Sequence, residues 1–167
     1  MIDVMTSWWV PPLLLLAALP AWTQDPSPQA PEAAEAAPIK TDFHTLAGWH
    51  VPDALFKAKQ GHVLRFVPGG IRRLDGKRVA VTGFMLPTRI KNRQVTEFFL
   101  MRNQNTCCFG IPPELNEVVE VQKTAHPTKV LMDTPITVVG KLHVRERWEG
   151  VFLCSIYQLE AETVDGQ

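Results

Sequence analysis

Two adjacent thiols, Cys107 and Cys108, sit between the amides Asn103, Gln104 and Asn105 and a Pro112-Pro113 corner, with Asn116 just beyond. A third thiol, Cys154, lies near the C-terminus. Nothing else in the chain carries comparable chemistry. Cys107 and Cys108 do not pair comfortably with each other, because neighbouring Cα atoms stand only ~3.8 Å apart, below the usual disulfide range. Three uses of these sulfurs compete. One of the pair bonds Cys154, closing a loop of roughly 45 residues worth about 4 kcal/mol by loop-closure entropy. Alternatively, Cys107 and Cys108 join His126 or His143 in a soft metal site, suited to zinc or copper as Cu(I). In the third use a thiol acts as a redox centre or nucleophile, which requires a base or a helix N-terminus to stabilise thiolate. Pro112-Pro113-Glu114 is a weak helix start, and no Cys-x-x-Cys is present. Asn105 and Asn116 are candidate ligand-binding amides, although short amides more often satisfy backbone groups in turns. His44, His50 and His62, at spacings of six and twelve, fit no common ligand pattern.

These residues need a scaffold, and alternation of apolar side chains supplies it from Lys77 onward. Val79, Val81 and Met85 alternate with Ala80, Thr82 and Phe84, and Gly83 marks a sharp bend or bulge. The basic stretch from Thr88 to Gln94 reads as a hairpin loop, followed by a strand from Val95 to Arg102 that leads into the cysteine segment. Val118 to Lys123 is a third short strand. In Pro135 to Glu146, Ile136, Val138, Leu142 and Val144 share one face with Gly140, while Thr137, Lys141, His143 and Arg145 take the other. Glu149-Gly150 turns this strand into the last one, Val151 to Glu160. The fold class is therefore mainly β: a small OB-like barrel of five strands, with a β-sandwich as the alternative. Short helical segments precede it. One is capped by Thr41 or Asp42, the next runs from Pro52 to Gly61, and Phe43, Leu46, Trp49, Leu55 and Phe56 plug one end of the barrel.

The first forty residues concern delivery. Trp8 to Trp22 is apolar but short and broken by prolines, which fits the core of a secretory signal at 1–23 better than a membrane span. An uncleaved N-terminal membrane anchor is the alternative. Residues 24–40 are rich in Pro, Ala and Glu and read as a disordered linker. The domain proper spans 41–163, and 164–167 is a tail. The chain is neutral overall, with 17 basic and 17 acidic residues, but bases dominate from Arg65 to Arg102 and acids from Ile111 onward. Export places the protein in the periplasm or outside the cell, and argues against nucleic acid as a partner. So does the lack of an exposed aromatic platform, since Phe84, Phe98 and Phe99 are expected in the core.

Several motifs together resemble the bacterial family called domain of unknown function 3299. They are Leu74 to Pro87, Phe98-Phe99-Leu100-Met101-Arg102, Cys107-Cys108-Phe109-Gly110-Ile111-Pro112-Pro113 with Asn116, and Pro135 to Gly140. The resemblance covers about Leu46 to Leu159. It implies a small exported protein or lipoprotein with an envelope accessory role, in the company of ABC-type export or zinc-responsive systems. A transport complex or another membrane protein is the implied partner. Many members of the family that the chain resembles carry Cys-x-His-x-Pro-Pro here; Cys108 stands at the cysteine and Pro112-Pro113 at the prolines, but Gly110 takes the place of the histidine. The implied metal site then lacks a ligand unless Cys107 takes that place. No cysteine follows the leader, so the lipid attachment of lipoprotein relatives is missing as well. The sequence thus points to an exported binding or accessory module, not an enzyme, with a metal-binding accessory and a thiol-redox protein as alternatives. It leaves the oligomeric state open.

Overall fold

The computed structural model describes residues 37–104, 112–122 and 127–166. Six strands form one sheet: β1 (Ile39–Thr41), β2 (Arg78–Lys91), β3 (Gln94–Met101), β4 (Val118–Gln122), β5 (Ile136–Glu149) and β6 (Phe152–Gly166). Three one-turn helices, α1 (Phe43–Leu46), α2 (Asp53–Phe56) and α3 (Gly69–Arg72), lie between β1 and β2, with a 3₁₀ turn at Val63–Phe66. A second 3₁₀ turn, Leu115–Glu117, precedes β4. Among the described residues no helix is long and apolar enough to cross a membrane.

The hydrogen bonding runs β2–β3–β4–β6–β5 and returns from β5 to β2, so five strands close into a ring. It is a single sheet, which rules out two packed sheets. β1 is the sixth strand. It adds in parallel to β2, with Ile39 opposite Val79 and Thr41 opposite Val81, and so takes up the last residues of the expected linker. At the other end β6 continues to Gly166, paired with Ile136, so the expected tail is strand.

Closure depends on β2 serving two neighbours in turn. Its first half pairs with β5 as far as Gly83 opposite Ile136, and its second half pairs with β3 from Phe84 opposite Met101. Gly83 marks the handover. A Cβ there would stand 2.6 Å from the Met101 carbonyl oxygen and 2.7 Å from the Phe43 ring, closer than real Cβ atoms approach. Gly140 meets a similar constraint at a register shift between β5 and β6, where a Cβ would lie 2.1 Å from the Glu160 carbonyl oxygen. The stretch from Thr88 to Gln94 is more ordered than expected: β2 and β3 meet in a two-residue turn, Asn92-Arg93, with φ of 51° and 63°. Both values are positive, as a type I′ hairpin turn requires.

The core fills the ring from one face of each strand. Val79, Val81, Phe98, Leu100, Val119, Val121, Ile136, Val138, Leu142, Ile156 and Leu159 are fully buried. The helical segments close one end, as the sequence indicates for Phe43, Leu46 and Leu55, which are buried, and for Trp49, which packs against the core. Phe56 is the exception: it is 62% exposed, because Leu55 takes the inward position of its one-turn helix. Asp42 caps α1, its Oδ1 accepting from the Thr45 amide (2.9 Å) and hydroxyl (3.0 Å). These bonds, the backbone one foremost, hold its carboxyl below the usual range.

Two polar groups fasten this cap. The Tyr157 hydroxyl donates to the Leu46 carbonyl (3.0 Å) and accepts from Trp49 Nε1 (3.1 Å), and burial pushes its pKa up to about 12. Glu146 of β5 accepts from the amides of Gly61, Val63 and Leu64 and from Trp148 Nε1. Burial opposes the charge on Glu146, but the four bonds more than offset it, so its pKa is lowered.

Candidate functional site

Cys107, Cys108, Asn105 and His126 lie outside the described residues. Of the remaining candidates, the structure places Cys154, Asn116 and His143 on three different parts of the ring. Asn116, in the turn before β4, is 1% exposed and donates from Nδ2 to the Trp49 carbonyl (2.7 Å). It ties that turn to the helical cap, and its Oδ1 is buried without a hydrogen-bond partner among the described residues. His143 stands on the outer side of β5. Its Nδ1 is 4.0 Å from Asp75 Oδ1, and its Nε2 is 3.4 Å from Glu160 Oε1 without the alignment of a hydrogen bond. Asp75 Oδ1 also accepts from the Val144 amide at 2.9 Å, so the carboxylate anchors the turn before β2. Among the described residues no group of three or more His, Cys, Asp or Glu is arranged to hold a metal ion.

Cys154 is a free, half-buried thiol whose Sγ lies 3.5 Å from the Phe152 carbonyl. It forms part of the wall of a hollow of about 270 Å³ on the solvent side of the sheet. Leu86 of β2, Phe99 and Met101 of β3, Val118 of β4, and Pro113 and Leu115 supply the apolar surface, with Glu114 at the edge. Strand register assembles this floor: Leu86 pairs with Phe99, and Met101 with Val118. Alternation along β3 sends Phe98 and Leu100 into the core and turns Phe99 outward. Phe84 and Phe99 are therefore only half-buried, in contrast to the expectation that all three phenylalanines are core.

Phe99 also borders a second, polar hollow of about 360 Å³ lined by Thr88, Arg89, Glu97, Glu120, Gln122, Arg147 and Glu149. Here the charges are spent on one another. Glu120 Oε2 accepts from Arg147 Nε (2.6 Å) and from the Ser155 hydroxyl (2.7 Å). Arg147 donates again to Glu149 Oε1 (2.7 Å), and that bond leads the causes that raise its pKa. The buried Gln158 extends the network, donating to Ser155 Oγ (2.8 Å) and accepting from Arg145 Nε (2.7 Å). Arg89 pairs with Glu97 at 3.2 Å. The sequence shows no sign of the Glu120–Arg147–Ser155 network, because Glu120 reaches β5 and β6 only through the parallel pairing of β4 with β6, while β5 and β6 meet as an antiparallel pair. The two halves of the outer face thus differ among the described residues: in the polar half Glu120, Arg147, Glu149 and Ser155 are bonded to one another, while the apolar half is open.

The family profile described as "Protein of unknown function (DUF3299)" matches residues 67–166. A crystal structure of a DUF3299 family protein from Pseudomonas aeruginosa PAO1 superposes with a TM-score of 0.58 at 24% identity, covering 78% of this chain and 97% of that one. At that identity the likeness speaks for the fold alone. No curated protein matches the sequence. The profile match takes in β2 through β6, with both the apolar hollow and the polar network, and the chain belongs to the DUF3299 family.

Proposed function

We propose that this protein is an exported accessory module of the cell envelope that works by binding a partner, not by catalysis, and that the apolar hollow on its outer face is the binding surface. One observation carries this reading: Leu86, Phe99, Met101, Leu115 and Val118 line an apolar depression that no side chain among the described residues fills, on a sheet whose core of described residues is buried. Open apolar depressions of this kind mark binding surfaces more often than structural defects. Val151 and Phe152, at the β5–β6 turn just before Cys154, are 81% and 74% exposed. The leader-like segment at 1–23 supports export, and the Pro/Ala/Glu stretch after it suits a tether. An integral membrane protein of a transport complex is the partner class that the family resemblance suggests.

Cys154 offers a native handle for the test. In a Cys107→Ser/Cys108→Ser chain expressed in cells, a benzophenone maleimide on Cys154 is expected to crosslink one membrane protein on irradiation. Leu86→Glu should abolish that adduct while leaving thermal unfolding unchanged. Crosslinking that survives Leu86→Glu would sink the reading. The metal-handling alternative has its own signature: zinc or copper retained by the purified chain and lost on Cys107→Ser/Cys108→Ser.

A further inference from the structure

Among the described residues, the β2–β3 turn alone places non-glycine residues at positive φ. Asn92 and Arg93 occupy the two left-handed positions of a type I′ turn, and the second of these ordinarily falls to glycine. An arginine at φ 63° is strained, and Arg93 makes no ion pair among the described residues that would compensate. Lys91 beside it is likewise exposed and without an ion pair among the described residues. The isolated bridge between Val95 and Thr128 brings Lys129 and Val130 to the same end of the molecule. Ile90 and Val130, 57% and 41% exposed, therefore share this end with Lys91, Arg93 and Lys129, which have no ion pair among the described residues. The nearby acid, Glu97, is already paired with Arg89. In a chain of zero net charge this end of the molecule combines three bases, Lys91, Arg93 and Lys129, with two exposed aliphatic side chains.

We propose that this tip is a foot that rests on an anionic phospholipid surface, with Lys91, Arg93 and Lys129 against the headgroups and Ile90 and Val130 dipping below them. Cations together with exposed aliphatic side chains at one tip match the chemistry of an anionic membrane interface, where charge sits outside and hydrocarbon beneath. Nucleic acid would favour the same cations but would also call for a stacking aromatic, and the tip from Arg89 to Val95 has none. The proposal is independent of the apolar hollow, since none of these residues lines it. A foot of this size binds weakly by itself, so it orients a chain that a tether or partner already holds near the membrane.

The test reads the tip directly. The full chain is mixed with vesicles of phosphatidylglycerol and phosphatidylcholine, or of phosphatidylcholine alone, and backbone hydrogen exchange is followed by mass spectrometry. Peptides covering Arg89 to Val95 and Thr128 to Val130 are expected to gain protection on the anionic vesicles only, and to lose it at high salt. Each basic residue removed should weaken that partitioning about fivefold. Arg93→Gly is the decisive variant, because it relieves the left-handed strain: the chain should be at least as stable as before, yet bind more weakly. Equal protection on neutral vesicles, undiminished binding by Arg93→Gly, or protection by single-stranded oligonucleotide in place of vesicles would each overturn the proposal.

Discussion

The capped end of the ring and the outer face over β3 draw on the same stock of aromatic, aliphatic and carboxylate side chains, yet they are finished to different degrees. At the cap, Leu46, Leu55 and Tyr157 are fully buried, and the polar groups that burial isolates are matched by name: Tyr157 to Leu46 and Trp49, Glu146 to three amides and an indole. On the outer face, Phe99 and Leu86 are only half-covered, and among the described residues a hollow of about 270 Å³ is open beside them. A region that exists to hold the fold together is closed on itself. A region left open at the cost of exposed apolar area suits something supplied from outside. Even the exception at the cap, Asn116 Oδ1 with no partner among the described residues, belongs to a side chain whose other end is committed to the Trp49 carbonyl.

Phe98 and Phe99 put this contrast on neighbouring residues. Phe98→Ala removes a fully buried ring from the core and is expected to cost about 3–5 kcal/mol in urea unfolding. Phe99→Ala, one residue along and on the other face, should cost about 1 kcal/mol or less, because its half-exposed ring forfeits far less burial. If the two costs are similar, the outer face is structural and the hollow has no separate purpose.

The cap should also be the part that fails at both edges of the pH range. Glu146 has a lowered pKa in the folded chain, so its contribution is fully present above the unfolded carboxylate range and is lost as pH falls through the folded value. Glu146→Gln should flatten that acid edge and cost about 2 kcal/mol at neutral pH, since hydrogen bonds to a charged acceptor are lost. Tyr157 sets the alkaline edge. Its pKa near 12 means that the unfolded chain releases the phenolic proton first, so stability drops as pH rises from the ordinary tyrosine range toward 12. It is the only tyrosine in the chain, so absorbance of tyrosinate reads this group alone. Ionisation at the ordinary value in the folded protein would mean that the cap is looser than its hydrogen bonds indicate.

Much of this closed architecture is legible in the residues themselves. Ile136, Val138, Leu142 and Val144 alternate with polar partners, and that is enough to find β5 and its inner face. Gly83 stands out as a glycine within an apolar strand, and it marks the point where β2 changes partner. Asp42 has the spacing of a cap and is one. β1 is invisible because three residues, Ile39 to Thr41, hold no period, and only the exposed edge of β2 makes them a strand. The β2–β3 tip reads as a loop because Asn92-Arg93 lacks the glycine that announces a tight turn. The outer hollow is hidden for a different reason. In β2 and β3 both faces are apolar, so alternation cannot tell a side that is covered from one that is not. The positions of the candidate residues are not legible either: of the three among the described residues, Asn116 and His143 lie elsewhere on the fold and Cys154 borders the hollow.

Cys154 provides the smallest expected effect and the sharpest test of whether the hollow is free. Its Sγ is half-buried, makes one long contact to the Phe152 carbonyl and carries no disulfide in this structure. Cys154→Ser under non-reducing conditions should then change stability by less than about 1 kcal/mol, the range of substitutions that leave packing intact. A bond from Cys154 to Cys107 or Cys108 predicts something else, because breaking a native disulfide costs about 2–5 kcal/mol. Thiol titration after denaturation without reductant separates the two independently of stability: three reactive thiols if Cys154 is free, one if it is bonded. A bonded Cys154 would fasten the wall of the hollow to the segment that follows β3, and the outer face would then be as closed as the cap.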